Sequence, residues 1–255
     1  MIGTFLVGLA IAVALQFALW LVQVRTRDAS HVDVGWAYGV GLLAVVYAVL
    51  GDGSPGHRAF EAVLVGLWSL RLGTFVLRRL GGKEDRRYAE MRERYGANAN
   101  RNFLVFFQAQ AGFVAAFSLP SLWIAYDTGA LGAVEWLGAA IWIVGVAGEW
   151  TADAQLQRWK REHEGVTARG GLWRYSRHPN YFFEWVTWLG LATVAAANGP
   201  WGWVAFATPA FLLVLILFVT GIPPSERQAL RSRGDDYRRY QRETSAFVPW
   251  FPKTS

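Results

Sequence analysis

Seven long apolar runs, separated by polar stretches, set the pattern of this chain. They fall near residues 2–24, 34–50, 59–80, 103–125, 131–150, 181–198 and 203–222. A helix crosses a bilayer with about 20 mostly apolar residues, and only the second run needs its flanks to reach that length. The expected fold class is therefore all-α: a polytopic integral membrane protein of seven transmembrane helices, forming one domain over 1–255. No run ends in a small-residue cleavage site, so the first is expected to be a retained helix and not a signal peptide. Trp36, Trp123, Tyr126, Trp136, Trp150, Trp201 and Trp203 lie near run ends, as interfacial aromatics do.

The polar stretches alternate in length. Gly51–Arg58, Asp127–Ala130 and Gly199–Gly202 are short, whereas 78–102, 151–180 and 223–255 are long. Of the 25 Lys and Arg residues, two follow the first run, eight lie in 78–102, six in 151–180 and seven in the tail; only Arg58 and Arg71 fall elsewhere. Positive loops stay cytoplasmic, so the N-terminus is expected outside, and the long loops and C-terminus inside. Connections that do no chemistry are short, about 4–6 residues, so the inner face is where a site is expected. Its segments read as ordered: a helix over Lys83–Tyr95 with a Glu90–Arg94 pair, an extension of the fifth run over Trp150–Glu164, and a basic helix from Arg227 to Arg242 with Ser225 as its cap.

Composition then removes several classes. The net charge of +6 is accounted for by the inner loops, which argues against nucleic acid. With no cysteine, disulfides, thiolate zinc and thiol catalysis are excluded. The four histidines are scattered without ligand spacing, so no metal is expected. Neither a G-x-G-x-x-G nor a Walker loop is present. Lys83, Lys160 and Lys253 all lie on the inner side, leaving no lysine for a retinal Schiff base.

Three constellations hold candidate chemistry. The run Gly170 to Trp185 sets Arg174, Arg177, His178, Asn180 and Tyr181 just ahead of the sixth span, with Glu184 one turn inside it. Forked arginine donors suit phosphate, a carboxamide matches a carboxamide, and a helix N-terminus adds positive potential. A plain basic anchor on lipid headgroups explains the arginines but not Asn180 or Glu184. The second set is Glu149, Asp153 and Lys160, on one helical face at the end of the fifth span; a solvated salt-bridge stripe is the competing reading. The third is Asp33 at the head of the second span, either an acid at work or a helix cap. Arg71 lies mid-span and needs a partner, with Glu61, Glu135 and Asp33 as candidates. Gln108 and Gln110 are expected to face the bundle and to line a cavity or bond between helices.

The segment Arg174-Tyr175-Ser176-Arg177-His178-Pro179-Asn180-Tyr181 with Glu184 resembles the C-terminal signature of the membrane steroid 5-alpha-reductases and their bacterial relatives, shared with sterol reductases. Asp153-Ala154-Gln155-Leu156, the Gly82–Tyr88 loop and Asp236-Tyr237-Arg238-Arg239-Tyr240 agree with it. The resemblance runs from about residue 30 to the end. It implies NADPH bound from the cytoplasm, and reduction of the 4,5 double bond of a 3-oxo-4-ene steroid or similar enone lipid. It implies cofactor contacts at Lys83, Arg87, Tyr88, Glu149, Asp153, Lys160, Arg174, Arg177, His178, Asn180, Tyr181, Glu184, Arg227, Tyr237 and Tyr240, with substrate beside Trp36 and Gln108. Asp33 stands where the steroid enzymes carry a Gln–Glu pair, with Val32 as its neighbour, and Leu70 and Arg71 stand where a span-three Tyr is expected. Asp33 is thus the expected catalytic acid. A monomer in the bacterial inner membrane is expected, with the bilayer and a lipophilic enone as its partners. The competing classes are an S-adenosylmethionine-dependent methyltransferase, which also carries Arg-His-Pro-x-Tyr, and a non-enzymatic lipid carrier.

Overall fold

A computed structural model describes every residue except Gly81, Glu164, Pro200, Thr254 and Ser255. The ends of the expected Trp150–Glu164 extension and of the tail, Gly81 in the first long loop and Pro200 in the Gly199–Gly202 loop therefore lie outside the described residues. The chain is 79% helix with no strand among the described residues. Six of its helical stretches are long and apolar enough to cross a membrane. The helices gather into two compact units, Met1–Gly132 and Ala133–Ser255.

The first unit is built from α1 (Ile2–Thr26), α2 (His31–Leu50), α3 (Pro55–Leu77), α4 (Arg86–Tyr95), α5 (Ala99–Phe117) and α6 (Leu119–Ile124). The α1 helix is an unbroken apolar run, and it stops where Arg27 turns left-handed at φ 56°. Ser54 caps α3, its Oγ accepting from His57 N at 3.4 Å, and Pro55 supplies a first turn that needs no donor. Asp85 caps α4, accepting from Arg87 N at 2.9 Å. This start is later than the expected Lys83, because Glu84 and Asp85 are engaged outside the helix. The ion pair on α4 is Arg86–Glu90 at 2.9 Å, not the expected Glu90–Arg94. The α4 helix is polar; the apolar part of the long Arg86–Ile124 stretch begins at α5. Ala29, Val32, Tyr88, Ala99, Phe103 and Phe107 form a core beneath α4.

The second unit is built from α7 (Ala133–Glu162), α8 (Pro179–Ala196), α9 (Ala207–Val214) and α10 (Ile222–Glu243), with a π turn over Leu215–Val219. At 1.5 Å per residue α7 is about 45 Å long, longer than the roughly 30 Å of a hydrocarbon core. It packs closely on α8 through glycine: a Cβ on Gly190 would overlap the backbone of Trp142, and one on Gly145 the backbone of Thr187. The α8 helix has 18 residues and is not among the six membrane-length stretches. In the stretch Gly202–Glu243 the apolar part ends at the π turn, and α10 is polar. It starts at Ile222, so Ser225 lies inside the helix and is not its cap. Gly234, at φ 50°, kinks it.

Candidate functional site

In the first unit, the site begins with the turn between α1 and α2. Asp28 Oδ1 accepts from Ser30 N at 2.9 Å, Glu84 Oε1 accepts from Ala29 N at 2.8 Å, and Ser30 Oγ accepts from Asp85 N at 2.9 Å. Glu84 also holds Arg92 at 2.7 Å, and Arg92 reaches Gln23 Oε1 at 3.2 Å. The loop ahead of α4 is thus sewn to the start of α2. This docking aims two donors at Asp33. Tyr88 Oη donates to Asp33 Oδ1 at 2.7 Å, and Arg87 donates to Oδ2 at 2.9 Å. Both carboxylate oxygens face α4, and Ser30 is the N-cap residue of α2. Asp33 is therefore no cap. Burial, and then the charge of Asp33, pushes the Tyr88 hydroxyl well above the usual range. Burial opposes ionisation of Asp85, but hydrogen bonds from Arg87 outweigh it and hold that carboxyl below its ordinary value.

The other predicted residues of this unit divide. Lys83 is exposed. Trp36 packs edge-to-face on Trp68 and Phe117, at 5.6 and 5.5 Å. Gln108 is half-buried, and its Nε2 is buried without a hydrogen-bond partner. Of the three candidate partners for Arg71 (Glu61, Glu135 and Asp33), Asp33 is taken by Arg87 and Tyr88, and Glu61 forms no ion pair among the described residues.

In the second unit, Pro179 opens α8 and sets Asn180 in its first turn. Asn180 Nδ2 donates to Asp153 Oδ1 on α7 at 3.5 Å, and Glu149 lies buried one turn away on the same face. Lys160, further along α7, is exposed, as are Arg174 and Arg227. Glu184 accepts from Trp188 Nε1 at 2.8 Å.

A second cluster forms around Glu226. It accepts from Arg177 at 2.7 Å, from Gln241 at 2.7 Å and from Tyr237 at 3.5 Å, with His178 Nε2 at 3.3 Å. Arg177 also donates to Gln241 O and Thr244 O. Tyr181 pairs with Ser225 Oγ at 3.0 Å and stacks on His178, ring centroids 5.4 Å apart. Tyr240 donates to the carbonyls of Trp173 and Ser176. The tail adds Arg177 N to Ser245 O at 2.8 Å and Trp250 N to Tyr175 O at 2.9 Å. Burial alone pushes the Glu226 carboxyl up, but the hydrogen bonds from His178 and Arg177 hold it down at about 2. Burial and then the Glu226 charge push the Tyr237 hydroxyl up to about 12. Burial also raises the Tyr240 hydroxyl.

Over residues 19–244 the chain matches the family described as "Protein of unknown function (DUF1295)". It belongs to that family. A Schizosaccharomyces pombe relative, "Uncharacterized protein C594.04c", is 27% identical over 96% of this chain and 79% of its own length. No solved structure matches. The DUF1295 match covers every predicted site residue from Asp33 to Tyr240 and leaves out most of α1.

Within this DUF1295 chain eleven of the eighteen predicted residues thus fall into three groups. Asp33, Arg87 and Tyr88 join, as do Asp153 and Asn180 with Glu149 beside them. Arg177, His178, Tyr181, Tyr237 and Tyr240 are engaged by the chain itself, fastening the segment before α8 to α10 and the tail. Sequence reasoning missed Glu226, the hub of that clasp, and Glu84, the clamp on the α1–α2 turn. The available signal for Glu226 was its being the single acid among the first residues of a basic helix.

Proposed function

We propose that the chain is an NADPH-dependent reductase of a conjugated enone in a flat, lipid-soluble molecule such as a steroid. The observation that carries this reading is the pair of buried carboxylates Glu149 and Asp153 beside half-buried Asn180 at the head of α8. Polar groups placed there without function are costly. The set offers what a dinucleotide needs: a carboxamide and carboxylates for ribose and nicotinamide amide, with Arg174 and Arg227 exposed for phosphates. When bound, NADPH supplies a hydride. Arg177 is already committed to Glu226, so it positions α8 and leaves phosphate contact to the exposed arginines.

Within the first unit, the Asp33–Tyr88–Arg87 group offers a proton donor of the kind that such chemistry needs. Negative charge develops on the ketone oxygen, and an O–H donor there stabilises it. Tyr88 carries a single O–H, which rests on Asp33 Oδ1 here and would turn to the ketone oxygen when substrate binds, while Arg87 holds Asp33 Oδ2 in place. Asp33 is then a positioning residue and Tyr88 the donor. Gln108 Nε2, buried and unbonded, is a further donor for the substrate. In this reading α8 is the sixth of seven spans, the N-terminus lies outside, and the two long loops and α10 face the cytoplasm.

The test is nucleotide binding by the purified protein in detergent. NADPH is expected to bind and to quench tryptophan fluorescence, with S-adenosylmethionine inert. Asn180→Ala is expected to weaken NADPH about tenfold, which corresponds to about 1.4 kcal/mol. Binding of S-adenosylmethionine without NADPH sinks the proposal.

A further inference from the structure

The end of the first unit remote from Asp33 holds a second polar group that the proposed reaction does not use. There α2 ends, α3 begins, and α6 lies across them. The strand-like loop is tied by Gly53 N to Ala125 O at 3.0 Å and Ser54 N to Asp127 O at 2.7 Å. Glu61, on α3, is 0% exposed, and neither carboxylate oxygen has a hydrogen-bond partner. No cation pairs with it among the described residues. The Ser121 hydroxyl of α6 is fully buried and faces it as a hydrogen-bonding group. Tyr47 of α2 is fully buried nearby, its hydroxyl 3.3 Å from Ser118 Oγ.

One helical turn before Glu61, on the same face, lies His57, 1% exposed. Its Nδ1 is 2.9 Å from Ser54 Oγ, and its Nε2 is 3.7 Å from Asp127 Oδ2. Asp127 is at the edge of the unit, 9% exposed. A line of polar groups therefore runs from the loop at Asp127 through His57 toward Glu61, inside helices that are otherwise apolar. An acid in such a setting is retained only when something neutralises it, and among the described residues no cation pairs with it.

We propose that Glu61 is the seat of a positive charge taken up from water, a proton or a small monovalent cation. Ser121 and Tyr47 supply the neighbouring oxygens, and His57 and Asp127 line the way in. Among the described residues of this unit, the titratable groups beside Glu61 are Tyr47 from α2 and His57 from α3, with Asp127 beyond; the proposal is independent of the reductase reading.

Dicyclohexylcarbodiimide distinguishes the two sources. A protonated carboxyl in an apolar site gives its proton to a carbodiimide nitrogen while its oxygen bonds the central carbon. The adduct then shifts the acyl group to nitrogen, retaining the whole reagent with no redox change. Peptide mass spectrometry is run on protein treated at several pH values in sodium, potassium or choline chloride. Glu61 is expected to gain one reagent mass. Labelling that falls with rising pH alike in all three salts identifies a proton; protection by sodium or potassium relative to choline identifies a cation. In parallel, melting of the wild type is expected to shift with pH or cation, and Glu61→Gln to lose that shift. A His57→Gln variant separates the response of the imidazole. Absence of label in every salt, together with identical pH and cation responses in wild type and Glu61→Gln, overturns the proposal. If Glu61→Gln does not fold, wild-type labelling alone decides it.

Discussion

At the scale of single residues, the most informative pairing is Tyr88 with Asp33. One carboxylate receives a hydroxyl at 2.7 Å and a guanidinium at 2.9 Å from the same short helix. Tyr88→Phe removes only the O–H, because the ring stays packed in the core and against Phe106, 6.0 Å away. Turnover of an enone substrate is expected to fall about 100-fold, the lower range for loss of a proton donor, with NADPH affinity unchanged. Unchanged turnover in that variant assigns the pair to holding α4 alone. Asp33 was legible in the sequence as an acid ahead of an apolar run, but both of its partners lie more than fifty residues away. Spacing along the chain carries no information on such a pair, because a loop sets where α4 docks. Asn180 and Asp153, 27 residues apart, needed the α7–α8 packing in the same way.

At the scale of elements, α10 and the segment before α8 act as one fastening. Glu226 is its centre, with a folded-state value of about 2 against an ordinary 4.5. A depressed carboxyl stabilises the fold above its unfolded value, and the contribution is lost as pH falls through the folded one. The fastening is therefore expected to be intact above about pH 4.5 and to loosen between there and about pH 2. Limited proteolysis of the tail across that range reads it out. Glu226→Gln is expected to show raised tail cleavage already at neutral pH, since it leaves Arg177 largely buried without its counter-charge. Tail cleavage in the variant equal to wild type contradicts this. The α7–α8 interface makes a second prediction. Gly190→Leu forces a side chain into the backbone of Trp142, and is expected to lower the melting temperature by several degrees, as overpacking by about 1–3 kcal/mol does. The element boundaries show the limits of local reading. Ser225 looked like a cap after two prolines, yet the helix begins three residues earlier and Ser225 serves Tyr181. Glu90 looked set for Arg94, yet it pairs with Arg86.

At the scale of the whole molecule, the one-sided distribution of Lys and Arg makes a topology prediction. The chain has no cysteine, so single-cysteine variants report accessibility without background. Asp52→Cys is expected to react with an impermeant maleimide added to intact cells. Arg231→Cys is expected to react only after the membrane is opened. The reverse pattern inverts the proposed orientation. Both positions are exposed, so failure to react reflects sidedness. The sequence by itself determined the helical, membrane-embedded character, because apolar runs of bilayer length have no stable alternative to helix in lipid. It also determined the helix start at Pro179, and which residue types were poised for chemistry. Only the tertiary structure decided which of those residues meet. It turned Arg177 and His178, just ahead of α8, inward as a clasp around Glu226, and it left Glu61 buried with no ion pair among the described residues. Local sequence fixes backbone hydrogen bonds and the faces of helices. Partner choice between side chains depends on how loops and glycine-lined contacts bring distant helices together, and that information is spread over the whole chain.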